Sequence, residues 1–117
     1  MRHHKAHRTL HRDKRQRVAL LRNLARSLVL QESIVTTVAK AKELKPFIEK
    51  LVTLSKEGTD ASRRTVQARI NSTEATRKLQ DTIAKRYDKR AGGYTRLTRL
   101  GRIGKRVGES ARIEFVK

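Results

Sequence analysis

Positive charge gathers at the two ends of this 117-residue chain and leaves a nearly neutral stretch between them. Residues 1–30 carry nine Lys/Arg against Asp13 alone, a net of +8, and residues 77–117 carry thirteen against Asp81, Asp88, Glu109 and Glu114, a net of +9. Residues 31–76 hold eight Lys/Arg and six Asp/Glu, a net of +2. Such a chain is constrained to a small body built around its ordinary centre, with basic extensions free to grip nucleic acid.

At this length one domain with a single modest core is the simplest expectation. Hydrophobic residues make up 36% of the chain, below the usual figure of about 45–50%, so the core should be small and its stability marginal without a partner. The absence of cysteine excludes disulfide scaffolds, thiol catalysis and zinc sites built on thiolates. No run reaches the roughly 18 apolar residues that span a bilayer. Met1-Arg2-His3-His4-Lys5 lacks the apolar region of a secretory signal, so the protein is expected to stay where it is made, in the cytoplasm. A membrane-coating helix would need bulky aromatics on its apolar face, and the chain has only Phe47, Tyr87, Tyr94 and Phe115.

Residues 1–12 contain only Leu10 as a sizeable apolar side chain and are expected to form an extended basic arm. Residues 13–117 then form one α+β domain. Asp13 reads as an N-cap, and Val18, Leu21, Leu24, Ala25 and Leu28 follow at helical spacing, giving a helix over about 13–30. Ser33 to Val38 is rich in β-branched residues and reads as a strand. Thr37 caps a helix that carries Ala41, Leu44, Ile48 and Leu51 to a stop at Gly58, with a kink or restart expected at Pro46. Thr59 or Asp60 starts a short helix through about Ile70. The pair Ser72/Thr73 starts another with Ala75, Leu79 and Ile83 on one stripe, so the sequon Asn71-Ser72-Thr73 reads as helix-start chemistry. Tyr94 to Leu100 and Ser110 to Val116 read as an antiparallel pair joined by a glycine-punctuated basic loop. The sum is about four helices packed on a small, mixed, three-stranded sheet.

His3, His7 and His11 recur every four residues, but Arg2, Lys5, Arg8 and Arg12 would repel a metal ion among them. No metal or cofactor is expected. Catalytic motifs are also missing: there is no Gly-x-Ser-x-Gly, no His-Glu-x-x-His, and Gly101-Arg102-Ile103-Gly104-Lys105 lacks the spacing of a nucleotide-binding loop. With so few aromatics, the remaining mode is recognition of folded nucleic acid through phosphates and shape.

The residues assigned to that contact are Arg2, His3, His4, Lys5, His7, Arg8, His11 and Arg12 of the arm, and Lys14, Arg15, Arg22 and Arg26 on the polar side of the first helix. Lys40 joins them, as do Arg90, Gly92, Gly93, Tyr94, Arg96, Arg99, Arg102, Lys105 and Arg106 around the C-terminal hairpin. Arg96 and Arg99 are an odd number of positions apart and should point to opposite faces of a strand.

Four segments then acquire a common meaning: Met1-Arg2-His3, Leu21-Arg22-Asn23-Leu24, the run Ile34 to Leu44, and Arg90-Ala91-Gly92-Gly93-Tyr94-Thr95-Arg96. Together with the closing Ala111 to Val116 they resemble bacterial large-subunit ribosomal protein seventeen from end to end. The resemblance implies a non-enzymatic component of the large subunit, bound to its ribosomal RNA near the tunnel exit, in one copy per ribosome. It places the chain beside the small ribosomal protein thirty-two. One departure is at Asp13-Lys14-Arg15-Gln16-Arg17, where family members commonly have Ser-Ser-x-His-Arg, so the histidine contact cannot be transferred to Gln16. A basic DNA-compacting or regulatory protein is the alternative that the charge alone leaves open.

Overall fold

Four helices begin at a short polar side chain that takes up a stranded backbone N–H in the computed structural model, which describes Leu10, residues 13–104 and residues 108–117. Asp13 Oδ1 accepts from the Gln16 N–H at 2.8 Å and opens α1 (Lys14–Gln31). Thr37 Oγ1 accepts from Lys40 at 3.3 Å and opens α2 (Val38–Lys56). Thr59 Oγ1 accepts from Ser62 at 3.1 Å at the start of α3 (Asp60–Ile70), and Ser72 Oγ from Ala75 at 3.2 Å at the start of α4 (Thr73–Lys78). Asn71, at φ 54°, ends α3 in the left-handed conformation, so Asn71-Ser72 closes one helix and opens the next.

Two features of the helices depart from the sequence pattern. The first is that α2 runs unbroken through Pro46, with no restart. Proline withholds the N–H that would reach the Lys42 carbonyl, but Lys42 is exposed, so water can take that donor's place. The second is that α4 continues through a π-helical turn (Leu79–Ile83) into α5 (Ala84–Arg86), so the helix announced by the stripe contains a π turn that the spacing does not. Within that helix Ala75, Leu79 and Ile83 are fully buried, as the stripe predicts.

The strands β1 (Ser33–Thr37), β2 (Thr95–Gly101) and β3 (Ser110–Phe115) form a sheet in the order β1-β3-β2. Both pairings are antiparallel, which corrects the expectation of a mixed sheet. The connections explain it: β1 and β2 each lie beside β3 and run opposite to it, so no parallel neighbours arise. Leu100 is an extra residue between the partners of Ala111 and Ser110, a bulge that bends the end of β2.

Register sorts the sheet into two faces. Ile34, Ile113 and Leu97 align across the strands on the face covered by the helices, where Ala111, Ile113 and Phe115 are buried. The core continues through Leu28 and Val29 of α1, Leu44, Ile48, Leu51 and Val52 of α2, and Val66 and Ile70 of α3. Val18, expected in this core, is 38% exposed, because the first turns of α1 extend beyond the helices that cover the rest of it.

Glu32 ties three elements together. It stands at φ 65° after α1, and its carbonyl accepts the Phe115 N–H at 3.1 Å. Its carboxylate pairs with Arg86 at 2.6 Å and Lys78 at 3.3 Å. The Arg86 hydrogen bond, supported by Lys78, holds the carboxyl below its ordinary value of 4.5. A depressed carboxyl stabilises the fold above the unfolded value, and that contribution disappears as pH falls through the folded one. Glu32→Gln should therefore cost about 0.5–1 kcal/mol in urea unfolding at pH 7, a modest figure because the group is partly exposed. The difference from the parent protein should shrink steadily below pH 4.5.

Candidate nucleic-acid interface

A cation serves a polyanion most readily where the fold leaves its head group exposed and uncommitted, and the basic residues divide on this test. Lys14 and Arg15 lie in the first turn of α1, exposed, with no acidic residue in that turn. The positive end of the helix dipole and these like charges are unfavourable neighbours, and an anion placed there would relieve both. Arg22 and Arg26, further along α1, are engaged inside the protein. Arg22 donates from Nε to the Arg69 carbonyl at 3.0 Å and from Nη2 to the Ala68 carbonyl at 3.3 Å. It thereby satisfies the open C-terminal end of α3. Arg26 donates from Nη2 to Asn23 Oδ1 at 2.7 Å, while its Nε is buried without a partner among the described residues.

The same economy recurs elsewhere. Lys78 donates to the Leu30 carbonyl at 3.0 Å, at the end of α1. Lys56 donates to the Arg90 carbonyl and to Tyr94 Oη, and its Nζ lies 5.2 Å from the centre of the Tyr94 ring. Lys40 is half-buried in the first turn of α2.

Tyr94 is a core residue. It is 1% exposed, stands 5.2 Å from the Tyr87 ring, and shares a hydrogen bond with Thr53 Oγ1 at 3.2 Å. Its ring cannot stack on a base, which corrects its assignment to the contact surface; it anchors the turn before β2 instead. Tyr87 meets Phe115 on its other side and donates to the Val116 carbonyl. The turn itself depends on glycine: Gly92 has φ 154° and Gly93 φ 64°, and a Cβ at either would meet nothing within 4 Å. Backbone conformation demands these glycines, and the space in front of them stays open to an approaching group.

Arg96 and Arg99 do point to opposite faces, since their partners across β3 are Glu114 and Ala111. Arg96 pairs with Glu114 at 3.8 Å and Arg99 with Glu109 at 3.2 Å, both largely exposed. Arg90 and Arg102 are exposed. The outer face of the sheet carries the row Val35-Arg112-Thr98, all three exposed, and beside it Ser33-Glu114-Arg96. Arg112 belongs to this surface although no local pattern singles it out; the strand register reveals it.

Lys50 and Arg69 were equally hidden in the near-neutral middle of the chain. The fold brings them together at the junction of two depressions, one beside the Ala91-Gly92 turn and one between α1 and α2. Arg2, His3, His4, Lys5, His7, Arg8, His11, Arg12, Lys105 and Arg106 lie outside the described residues. No group of three or more His, Asp or Glu among the described residues is placed to hold a metal. No described helix is long and apolar enough to cross a membrane.

Comparison with known proteins bears on what such a surface serves. The family model for ribosomal protein L17 matches residues 20–116. The chain is 47% identical over 116 residues to the large ribosomal subunit protein bL17 of Gemmatimonas aurantiaca, covering 99% of this chain and 98% of that one. It is 48% identical over 119 residues to the bL17 of a Sulfurihydrogenibium species, covering 100% and 98%. Against the bL17 of Rhodopseudomonas palustris it is 48% identical over 119 residues, covering 99% and 86%. Matches this extensive leave neither the body nor its basic ends outside the likeness, and the chain belongs to the ribosomal protein L17 family.

Proposed function

We propose that the protein is a constituent of the large ribosomal subunit, a structural component and not an enzyme, that binds and stabilises the subunit's ribosomal RNA through phosphate and shape contacts. One observation carries this reading. The chain has a net charge of +19, and exposed cations such as Lys14, Arg15, Arg90 and Arg102 stand outside the ion pairs that Glu32, Glu109 and Glu114 make with Lys78, Arg86, Arg96 and Arg99. Charge left unneutralised destabilises a compact protein by itself and is offset when phosphates take the place of counter-ions.

On this reading the chain grips RNA at separate places. The arm of residues 1–12 and the start of α1, with Lys14 and Arg15, form one grip. The second comprises Arg90, the Gly92-Gly93 turn, Arg96, Arg99 and the basic loop from Arg102 through Lys105 and Arg106. The body between them holds the two at a fixed separation. Family membership supports a single copy per ribosome, with neighbouring ribosomal proteins, including the small ribosomal protein thirty-two, as partners.

Competition distinguishes this role from DNA compaction. With labelled large-subunit RNA bound to the full chain, unlabelled RNA of the same sequence should displace it at least tenfold more effectively than duplex DNA of equal nucleotide concentration. Equal displacement by the two would favour the DNA-binding alternative.

A further inference from the structure

Between the outward side of α2 and the Ala91-Gly92 turn lies a cleft of about 450 Å³, a size typical of sites for small ligands. Leu54 and Ala91 make it partly apolar, and Lys50 and Arg69 are also among its lining residues. Neither cation takes part in the ion pairs of the described residues. The cleft's carboxylate, by contrast, is already committed: Glu49 Oε2 accepts the Thr95 N–H at 3.2 Å and the Thr95 hydroxyl at 2.8 Å. Positive charge outside these ion pairs thus shares the cleft with apolar side chains, while the cleft's negative charge is tied back into the protein.

We infer that this cleft receives one unpaired nucleotide of the ribosomal RNA, with its base against Leu54 and the Ala91-Gly92 backbone and its flanking phosphates on Lys50 and Arg69. The inference rests on the RNA-binding role proposed above and adds to it a defined site for a single nucleotide. A base presents a flat, largely apolar face and two charged neighbours, which is the combination found at this cleft. An RNA duplex is too broad to enter it, so the nucleotide must be splayed from a loop, bulge or junction. Gly92 keeps the wall low, since it has no side chain and a Cβ there would project into open space. A peptide segment could cover the apolar side chains, but it would have to be acidic to satisfy both cations, whereas RNA supplies a phosphate with every nucleotide.

Ultraviolet cross-linking of the full chain to deproteinised large-subunit RNA tests the site, with the linked peptides and nucleotides mapped by mass spectrometry. A cross-link between residues 49–54 or 91–94 and a nucleotide outside duplex RNA is expected. Ala91→Leu, an exposed position where a larger side chain narrows the cleft, should abolish that cross-link and leave those elsewhere in the chain intact. Lys50→Ala combined with Arg69→Ala should make the dependence of log K on log salt shallower by about 2, one phosphate for each cation. Circular dichroism of each variant, unchanged from the parent, certifies the fold. Cross-links confined to other segments, or to duplex RNA, overturn the nucleotide site while leaving RNA binding standing. A protein segment linked to the cleft in assembled subunits overturns it in favour of a peptide occupant. Loss of the whole RNA-binding reading would show differently, as no RNA cross-link anywhere.

Discussion

Raising monovalent salt from about 50 to about 200 mM should weaken binding of large-subunit RNA by about 10⁴-fold, if about eight phosphates are engaged and log K falls with log salt at a slope near −6 to −7. The size of the effect follows from counter-ion release: each phosphate that meets a lysine or arginine sheds part of its condensed ion atmosphere, and concentrated salt opposes that release. Filter binding across four or five salt concentrations measures the slope directly. A chain limited to residues 13–117 lacks Arg2, Lys5, Arg8 and Arg12, so its slope should be shallower by about 3 if all four meet phosphate. Its circular dichroism should stay close to that of the full chain, because none of the described core residues precedes α1. A slope near zero for the full protein would remove the electrostatic account.

The second large effect is on stability. Tyr94→Ala should cost about 3–5 kcal/mol, since it removes a fully buried ring and leaves a cavity beside Tyr87. For a domain whose total stability is about 5–15 kcal/mol, that loss approaches unfolding at physiological temperature. Tyr94→Phe keeps the ring and removes only the hydroxyl, with its contacts to Thr53 Oγ1 at 3.2 Å and Lys56 Nζ at 3.3 Å. It should cost about 1 kcal/mol. Urea unfolding of the two variants beside the parent gives both values. A small loss for Tyr94→Ala would mean that the ring is not part of the core.

What could be read in advance was local. Asp13, Thr37, Thr59 and Ser72 cap helices through bonds to residues three positions on, so the signal and its structural effect sit within one turn. Alternation in Ser110 to Phe115 likewise announces its buried face, because a pleated strand needs only its own sequence to separate two sides. Pairing β1 with β3 needs partners 73 to 81 positions away, and nothing local could distinguish an antiparallel sheet from a mixed one.

Charge was legible as a total and much less so as a role. Arg22 lies on the polar side of α1, and its spacing gives no hint that the carbonyls of Ala68 and Arg69 arrive beside it. Tyr94 follows two glycines in a basic segment, a setting that suits a contact residue. Its burial depends on the Tyr87 ring, backed by Phe115, and on Thr53 and Lys56 of α2 arriving beside it. Lys50 and Arg69 were obscured for the opposite reason, since each stands among acidic or neutral neighbours in sequence and becomes conspicuous only where the helices meet.

The order β1-β3-β2 has a consequence for how the chain is made. The last of the three strands in chain order is the one both others need, since β1 and β2 bond to β3 and not to each other. Helices α1 to α4 can form as they appear, but their sheet-facing apolar side must wait, uncovered, until Ser110 to Phe115 is available. Closure of the sheet therefore waits on β3, and a nascent chain ending before β3 should remain open to proteolysis however long it is held.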